Sequence, residues 1–599
     1  MIKFLKKNYV YICFLICFLL LLWRSFLGFC WTDESFYVST ADRFFRGDVP
    51  LVDEWYRTQL SSLIMLPFYA LYVLITGGNA GIILYFRILY LVFSASVSAV
   101  YFIVLKKERP VYIAGAAALF VMCYAHLNNA TFSYYMLSEL FLALALILIY
   151  DCRRSENMAV LVCSGVFIAL SVLSMPAFAI GYVIVLILAA AVLVVSFIRS
   201  VPEKIRNMID GAFIRKALLF TFIGILIPAF IFAAYMMSRA DFSRLFETLP
   251  YALVDREHSN TFGYYIRKPH RSLMEVYGLW TYCSYILIAI CAIFGRWLKK
   301  RPFCYFAVLA DIVIFAAMAI RSFGHTGYIQ AAFFMFMIPV FFISEKKDSA
   351  LFSLMAVPSV LVALIYCFAS SDFLYVMAIG FAISSGAGVC VLYDFAEGNL
   401  ASSDGNTALK TAVKAGIVIA CAYSLCITFY LRIKNVYRDA PIWRLSCAIQ
   451  EGVAKGLYTT KEHLELYNDV CSVIDEYLSD TEHFEIISGN PDGNVLFSKI
   501  LPWGYAASSL DCGYPTTWRA TAYDEEQLEK YYGINTDAVP DVIIVLDSVY
   551  GSYDAAGDTE DDHIPNLDEM SGYWKDYIAK NGFTETPVKC GKLYCRPKK

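Results

Sequence analysis

Long apolar runs alternate with short polar connections over the first 431 residues of the chain. An α-helix rises about 1.5 Å per residue, so about 20 apolar residues cross the hydrocarbon core of a bilayer. Thirteen runs come close to this length and are predicted to span a membrane: 9–30, 82–105, 111–127, 134–150, 158–175, 178–198, 217–237, 276–295, 303–320, 329–343, 350–369, 373–393 and 411–431. The pattern predicts an α-helical polytopic membrane domain over residues 1–431.

One shorter apolar run, Leu60–Thr76, leaves an alternative open. It contains Pro67 and ends at Gly77 and Gly78. If it crossed the membrane, every later connection would change sides. We expect instead a helix that lies on the membrane surface or is re-entrant.

Basic residues in the connections predict the orientation of the spans. Alternation places six connections on the inner side: 106–109, 153–154, 199–216, 296–301, 346–347 and 394–410. The first five are basic and the sixth is nearly neutral, which fits the positive-inside rule. The first run follows three lysines and lacks a small-residue cleavage site, so it is predicted to remain as a span. The N-terminus is then inside and, with thirteen spans, the C-terminus is outside.

The chain becomes polar from Arg432 onwards. Residues 432–599 contain 16 Lys and Arg against 28 Asp and Glu, whereas the preceding part contains 33 and 24. Helical patterns cover 442–455 and 460–479, and short apolar runs typical of strands cover 483–488, 541–546 and 587–595. An acidic, extracytoplasmic α/β domain is therefore predicted to follow the membrane domain.

Composition excludes several classes of protein. Of the 599 residues, 59% are hydrophobic and 17% are charged, against about 45–50% and 25% in soluble proteins. A soluble enzyme, a disordered protein and a fibrous protein are excluded. No basic cluster indicates a nucleic-acid partner. The 18 cysteines lie mostly in apolar runs, without zinc-ligand spacing, and pairing of Cys590 with Cys595 is left open.

The first outer loop, residues 31–79, carries an unusual pair of acids. Asp33 and Glu34 directly follow the first span, and carboxylates at a membrane boundary are costly unless solvated or paired. The spacing that follows predicts a short interfacial helix ending at Gly47. Asp33 could instead cap that helix, and Glu34 could instead stabilise its dipole.

The layout of this loop resembles a known enzyme family. The shared features are the acidic pair, Tyr37, a helix ending in Gly47, then Pro50 and Asp53, Gln59-Leu-Ser-Ser, Leu66-Pro67-Phe68, Arg87, and a later outer loop Arg321 to Tyr328 leading into a helix with Pro339. This pattern resembles family-39-like GT-C glycosyltransferases, the relatives of protein O-mannosyltransferases and of the lipid A aminoarabinose transferase. The layout extends over about 430 residues, and the sharper motif matches lie in residues 31–90.

The resemblance implies both a fold and a reaction. The expected protein is a multi-pass enzyme of a plasma membrane, here a bacterial one, surrounded by membrane lipids. It would move a sugar, with inversion, from a polyprenyl-phosphate donor to a glycan, lipid or protein acceptor at the outer face. Asp33 matches the acid of the family and is the candidate general base. Glu34 is the second candidate.

Cationic residues of the outer loops are candidates for binding the donor phosphate. The predicted set is Arg57, Arg321, His325, Tyr328, Arg256 and Arg267. The last two arginines belong to the outer loop 238–272, whose eight cationic or titratable residues depart from the positive-inside rule and suggest an anionic partner. Phospholipid headgroups are the alternative partner for this loop, and an interfacial or solvated position is the alternative for the other residues.

One departure from the family concerns a second acid. Relatives often carry an acid in the loop between the third and fourth spans, and residues 126–135 contain none. Glu139 could replace it, or could pair with a neighbouring helix. A single Asp does not make a metal site, so a divalent cation is left open as a cofactor and no other cofactor is expected.

Two other classes of function compete with the transferase. A transporter or flippase for lipid-linked glycans would show inverted repeats and mid-span ionisable residues. The chain shows no repeat, and the mid-span charge is Asp311. A non-catalytic assembly protein would leave the acidic pair and the cationic loop unexplained. The sequence favours the glycosyltransferase.

Overall fold

The computed structural model describes residues 2–197, 210–252, 261–299, 302–370, 373–401, 407–478, 493–498, 500–520, 522–546 and 572–596. The helices are α1 Ile2–Ser25, α2 Asp33–Arg46, α3 Leu60–Thr76, α4 Ile82–Leu105, α5 Val111–Cys123, α6 Tyr134–Ser155, α7 Met158–Ser174, α8 Phe178–Phe197, α9 Gly211–Arg239, α10 Phe242–Ala252, α11 Phe262–Tyr277, α12 Leu279–Leu298, α13 Phe303–Arg321, α14 Thr326–Ile343, α15 Ser349–Ala369, α16 Leu374–Phe395, α17 Thr407–Lys434, α18 Lys461–Tyr477, α19 Pro502–Ala507, α20 Glu525–Ile534 and α21 Gly572–Asn581. The strands are β1 Cys447–Ala448, β2 Tyr458–Thr459, β3 Asn494–Phe497, β4 Asp511–Cys512, β5 Val542–Leu546, β6 Thr584–Val588 and β7 Gly591–Cys595.

The predicted fold class is confirmed: the chain is a polytopic helical protein followed by an α/β region. In the described ranges, eleven helices are long and apolar enough to cross a membrane, namely α1, α4, α6, α8, α9 and α12 to α17. The other two predicted spans are also helices, but shorter ones. Helix α5 has 13 residues and α7 has 17, so at about 1.5 Å per residue neither matches the full hydrocarbon thickness.

The first span ends earlier than its apolar pattern predicts. Helix α1 stops at Ser25, not near residue 30. The backbone N–H of Gly28, at φ +81°, donates to the Tyr458 carbonyl at 2.8 Å, and Tyr458 N–H donates to the Phe26 carbonyl. Residues 26–30 therefore pack against the C-terminal domain, where apolar side chains are buried just as they would be in lipid.

The ends of the helices agree with the predicted alternation. Helices α1 and α17 end together, because Arg24 donates to the carbonyls of Ile433 and Asn435 at 3.1 and 2.7 Å. At the opposite end of the bundle, Arg109 pairs with Asp394 and Asp348 at 2.9 and 3.4 Å. Three of the connections expected on the inner side thus meet at one end of the bundle, and the C-terminal domain lies at the other.

Which end faces outward stays a prediction, and it can be tested directly. We expect alkaline phosphatase fused after Lys599 to be active and a fluorescent protein fused there to be dark. Fusions in the connection 106–109 should behave in the opposite way, which provides the control. The reverse pattern at both positions would invert the predicted topology.

Helix α3 does not cross to the opposite end of the bundle. Close to its start, Trp55 N–H donates to the Pro515 carbonyl at 2.7 Å. Just after its end, the Asn79 side chain donates to the Ala506 carbonyl and Gly81 N–H to the Gly452 carbonyl. Both ends therefore contact the C-terminal domain, as expected for a surface-lying or re-entrant helix.

Small residues allow the closest helix crossings. Gly165 of α7 faces Gly224 of α9 so closely that a Cβ on Gly165 would lie 2.9 Å from the Gly224 Cα atom. Gly380 of α16 lies in the same way against Ser359 and Ala363 of α15. Such contacts replace the hydrophobic effect as the cause of helix association in lipid.

A mixed sheet organises the C-terminal domain. Its strand order is β4-β3-β5-β7-β6, with β3 parallel to β4 and β5, and β7 antiparallel to β5 and β6. The strand predicted at 541–546 is confirmed as β5. The single strand predicted at 587–595 is wrong, because this segment is the end of β6, a turn and β7, which pair antiparallel. The helix predicted at 460–479 is confirmed as α18, with Thr460 as its N-cap.

The helix predicted at 442–455 is wrong. A short 3₁₀ turn, Ile442–Arg444, and the β1–β2 pair replace it. Gly452 and Gly456 have positive φ angles, which favour turns over a continuous helix. The strand predicted at 483–488 lies outside the described residues.

Candidate functional site

Asp33 lies at the junction of the membrane domain and the C-terminal domain. It is the first residue of α2, and Thr32 takes the N-cap position, so the alternative in which Asp33 caps this helix does not hold. Its Oδ2 atom accepts hydrogen bonds from the Tyr437 hydroxyl at 3.0 Å and the Thr32 hydroxyl at 3.1 Å. Arg438 Nε lies 3.5 Å away, and the Asp33 side chain is 20% exposed. The carboxylate is held in place yet accessible.

Glu34 has a different environment. It is 1% exposed, and its two carboxylate oxygens each accept a 2.6 Å hydrogen bond from Arg87 of α4. Arg87 also donates to the carbonyls of Ser25 and Leu27. This bidentate pair ties α2 to α4 and the end of α1, which leaves Asp33 as the accessible acid of the pair.

A small polar cavity lies beside the acidic pair. Glu34, Arg24, Arg87, Arg432 and Tyr437 line it, and its volume of about 20 Å³ is near that needed for one or two water molecules. Burial, together with the Asp33 carboxylate, raises the pKa of the Tyr437 phenol. Tyr437 therefore stays protonated and joins the cavity to Asp33 through a donated hydrogen bond.

The structure brings His325 and Tyr328 towards this junction. Their rings pack together with centroids 4.6 Å apart, and Tyr375 lies 6.2 Å from the His325 ring. Asn435 donates to the Gly324 carbonyl at 3.1 Å, which connects their loop to the segment carrying Tyr437. Burial lowers the pKa of His325, so its imidazole is neutral at pH 7 and can donate only one hydrogen bond.

The other predicted phosphate-binding residues that the structure describes lie in separate places. Arg321 is exposed and donates to the Val276 carbonyl at 3.2 Å, on the side of the α11–α12 junction. Arg57 is half-buried, within electrostatic range of Tyr134. Arg267 is exposed on α11. Arg256 lies outside the described residues.

The segment 238–272 is helical where it is described, not an open loop. It forms α10 and most of α11, and several of its cations already have protein partners. Arg244 contacts Asp53, Arg271 pairs with Glu275, and the buried Lys268 donates to the Ser370 carbonyl. The expected excess of cations facing an anionic partner is therefore reduced in this segment.

Glu139 does not join the acidic pair. It is 3% exposed in α6, in a buried group with Tyr101, Tyr124 and Tyr366. Arg87 occupies both oxygens of Glu34, so Glu34 is engaged in an ion pair and not available to share a divalent cation with Asp33. Across the described ranges, no three His, Cys, Asp or Glu side chains converge on a metal site.

Sequence reasoning missed four residues of the site: Arg24, Arg432, Tyr437 and Arg438. Arg24 carries a signal that could have found it, because an arginine inside a predicted span is a functional candidate. The other three residues follow the last span and appear in sequence as the start of a polar tail. Nothing local in that segment indicates that it folds back onto Asp33.

A second ionic group fixes the C-terminal domain onto α2. Arg43, 4% exposed, pairs with Asp48 and with Glu54, which is fully buried. It also donates to the Asp53 carbonyl at 2.7 Å, and the Tyr531 hydroxyl of α20 donates to the same carbonyl at 2.9 Å. Burial raises the pKa of Glu54 to about 7, although the Arg43 guanidinium acts in the opposite direction.

Replacing Arg43 with Met should destabilise the protein in a pH-dependent way. Removing one partner of a buried pair costs about 3–5 kcal/mol. Without Arg43, the pKa of Glu54 rises further above its unfolded value. A raised folded-state pKa gives stability that is present below the unfolded pKa and is lost as pH rises through the folded pKa. The fall in melting temperature should therefore be larger near pH 8.5 than near pH 5.5.

The control for this measurement is Arg296→Met, at an exposed arginine of α12, which should melt like the wild type at both pH values. Equal losses for Arg43→Met at the two pH values would contradict the role given to Glu54.

Among known proteins, the chain is similar to solved structures of an archaeal oligosaccharyltransferase. No protein-family model matches the chain, and no curated protein matches it. Among solved structures, it is similar to the apo oligosaccharyltransferase of Archaeoglobus fulgidus, with a TM-score of 0.45. It is also similar to oligosaccharyltransferase AglB of that organism in complex with an inhibitory peptide and a dolichol-phosphate, with a TM-score of 0.40.

In both comparisons the identity is 12%, over 90% of this chain and 69% of the other. At this identity and these TM-scores, the similarity assigns no role to any residue.

Proposed function

We propose that this protein is a membrane glycosyltransferase that moves a sugar from a polyprenyl-phosphate donor to an acceptor at the outer face. The observation that carries the proposal is Asp33. It is an accessible carboxylate at the membrane boundary, held by Tyr437 and Arg438 beside a cavity lined by three arginines. A base next to a cationic pocket is the arrangement that such a transfer needs.

In the proposed reaction, Asp33 takes the proton from the attacking group of the acceptor. The acceptor oxygen or nitrogen forms a bond to C1 of the sugar while the bond from C1 to the phosphate oxygen breaks. The electron pair of that bond leaves with the polyprenyl phosphate. Attack opposite to the leaving phosphate inverts the configuration at C1.

The described residues support separate roles around this step. His325 and Tyr328 pack against the segment that carries Tyr437, where they can contact the sugar or its phosphate. The C-terminal domain covers α2, since Ser39 and Thr40 contact Thr517 at 3.0 and 3.3 Å. It can therefore form a wall of the acceptor site.

An apolar cleft of about 420 Å³ supports binding of a lipid chain. Helices α6, α7, α8, α9 and α15 line it almost entirely with aliphatic and aromatic side chains. An unbranched or isoprenoid chain would be buried there without polar contacts.

The proposal is tested by incubating the purified protein with radiolabelled polyprenyl-phosphate sugars and a panel of glycan, lipid and peptide acceptors. Label should move from the donor to an acceptor with the wild type. If the folded protein transfers no label from any donor to any acceptor, the proposal is wrong.

A further inference from the structure

Three buried arginines line the polar cavity beside Asp33, namely Arg24, Arg87 and Arg432. One of its other lining residues is an acid, Glu34. All four are at least nine-tenths buried. Burying a charge is costly unless it is paired and hydrogen-bonded. The partners of each guanidinium therefore determine whether the cavity needs a further anion.

Among the residues that the structure describes, Arg87 is the one of these three arginines with a carboxylate in direct contact. Arg87 is matched by Glu34 through two 2.6 Å contacts. Arg24 donates to three neutral backbone carbonyls, those of Leu27, Ile433 and Asn435. Its guanidinium is therefore hydrogen-bonded, while Glu34 and Asp439 act on its charge from a distance.

In the part of the chain that the structure describes, Arg432 has neither a carboxylate in contact nor a carbonyl that accepts its hydrogen bonds. It is 4% exposed and lies in the last turn of α17. Within the described ranges, no carboxylate, carbonyl or hydroxyl accepts a hydrogen bond from its guanidinium. It lines the cavity, so its donors can be satisfied from that space.

The nearby negative groups act on Arg24 rather than on Arg432. Glu34 and Asp439 lie within electrostatic range of Arg24, and Asp439 also accepts from the Phe29 N–H at 2.7 Å and the Thr459 hydroxyl at 2.9 Å. The carbonyl ends of α1 and α17 each contribute about half a negative charge. Within the described ranges none of these groups contacts the Arg432 guanidinium, and a water molecule in the cavity would bring it no negative charge.

We propose that this three-arginine cavity is a binding site for a phosphate oxyanion. This inference deepens the proposed function and rests on it for the identity of the ligand, since the leaving group there is a lipid phosphate. The enclosed volume of about 20 Å³ accepts one phosphoryl oxygen, and the space that includes the open mouth is about 310 Å³. Tyr437, which also lines the cavity, lies between this space and the Asp33 carboxylate, to which its hydroxyl donates.

The site is distinct from the phosphate-binding residues predicted from sequence. Its cations come from the ends of the first and last predicted spans and from α4, not from the outer loops. A phosphate with its oxygen between Arg24 and Arg432 would give Arg432 an anionic acceptor through charge-assisted hydrogen bonds.

The test is equilibrium binding of radiolabelled inorganic phosphate to the purified full chain, with chloride holding the ionic strength constant. The wild type should bind phosphate saturably. Arg432→Gln should raise the dissociation constant about tenfold or more, and Arg432→Lys should lie between the two. Arg296→Gln, at an exposed arginine, is the matched control and should bind like the wild type.

Two results would overturn the inference: no saturable binding by the folded wild type, or equal affinity in Arg432→Gln and the wild type. Competition identifies the source of the phosphate once binding is seen. If a short-chain polyprenyl phosphate displaces the label at a lower concentration than free phosphate does, the result supports a lipid phosphate monoester as the ligand. Displacement by phosphatidylglycerol vesicles supports a phospholipid headgroup, and displacement by free phosphate alone supports the inorganic ion.

This binding assay and the transfer assay can fail separately. Phosphate binding that depends on Arg432, without sugar transfer, would keep the anion site and reject the proposed function. Sugar transfer without phosphate binding would keep the proposed function and reject the anion site.

Discussion

Asp33→Asn should lower the rate of sugar transfer by about 10²–10⁴-fold, the contribution of a general base. Asn keeps the size of the side chain, and its carbonyl oxygen can still accept from Tyr437 and Thr32. It cannot take a proton from the acceptor. Asp33 is not the N-cap of α2, so the substitution should leave the helix and the melting temperature nearly unchanged.

The matched control is Asp53→Asn in the same loop. Asp53 accepts from the Val49 N–H and contacts Arg244, at a distance from the arginine-lined cavity. This variant should transfer sugar at close to the wild-type rate. Near-normal turnover in Asp33→Asn would remove Asp33 from the reaction and make Glu34 or Glu139 the next acid to test.

Glu34→Gln should have the largest effect on stability. It leaves the buried Arg87 guanidinium without its counter-charge, a change that costs about 3–5 kcal/mol. Because the pair joins α2 to α4 and to the end of α1, the melting temperature in detergent should fall clearly. Turnover per folded molecule should fall less than in Asp33→Asn, since Arg87 already occupies both oxygens of Glu34.

The double variant Glu34→Gln, Arg87→Met tests the cause of this loss. Removing the second partner also removes the uncompensated charge, so the double variant should melt at a higher temperature than Glu34→Gln alone. If the double variant melts lower still, by the sum of the two single effects, the two residues act independently and the pairing explanation is wrong.

The membrane helices could be predicted from sequence because length and hydrophobicity determine whether a segment can span a bilayer. Every predicted span is a helix, and the short helix α2 was found from its spacing and from Gly47. The end of α1 was misplaced because Phe26, Leu27 and Phe29 are as apolar as lipid-facing residues. They pack instead against a protein domain more than 400 residues away in sequence.

Only the part of the candidate site that comes from the first outer loop could be predicted from the sequence. Asp33 and Glu34 are visible as charges next to a span, and their position at the boundary indicated a function. Their partners Tyr437, Arg438 and Arg432 become partners only through tertiary folding, and no local pattern marks them. The different environments of Asp33 and Glu34 could not be predicted from the sequence either, since the arginine that pairs with Glu34 comes from α4.

The C-terminal domain shows a similar division. The apolar run of β5 and the capped helix α18 carry strong local signals and were found. The segment 442–455 has helical spacing, but Pro441, Gly452 and Gly456 favour turns. In the structure β1 pairs with β2 instead of forming part of a helix.

The measurement that tests the central claim most directly is the release of polyprenyl phosphate from a labelled polyprenyl-phosphate sugar by the protein in liposomes that contain membrane extract as a source of acceptors. Polyprenyl phosphate is the leaving group whichever acceptor is used, so its detection does not require the acceptor to be known. The account predicts that it accumulates with the wild type and not with Asp33→Asn. Donor that crosses the bilayer intact, with no polyprenyl phosphate formed, would contradict the account and indicate a flippase.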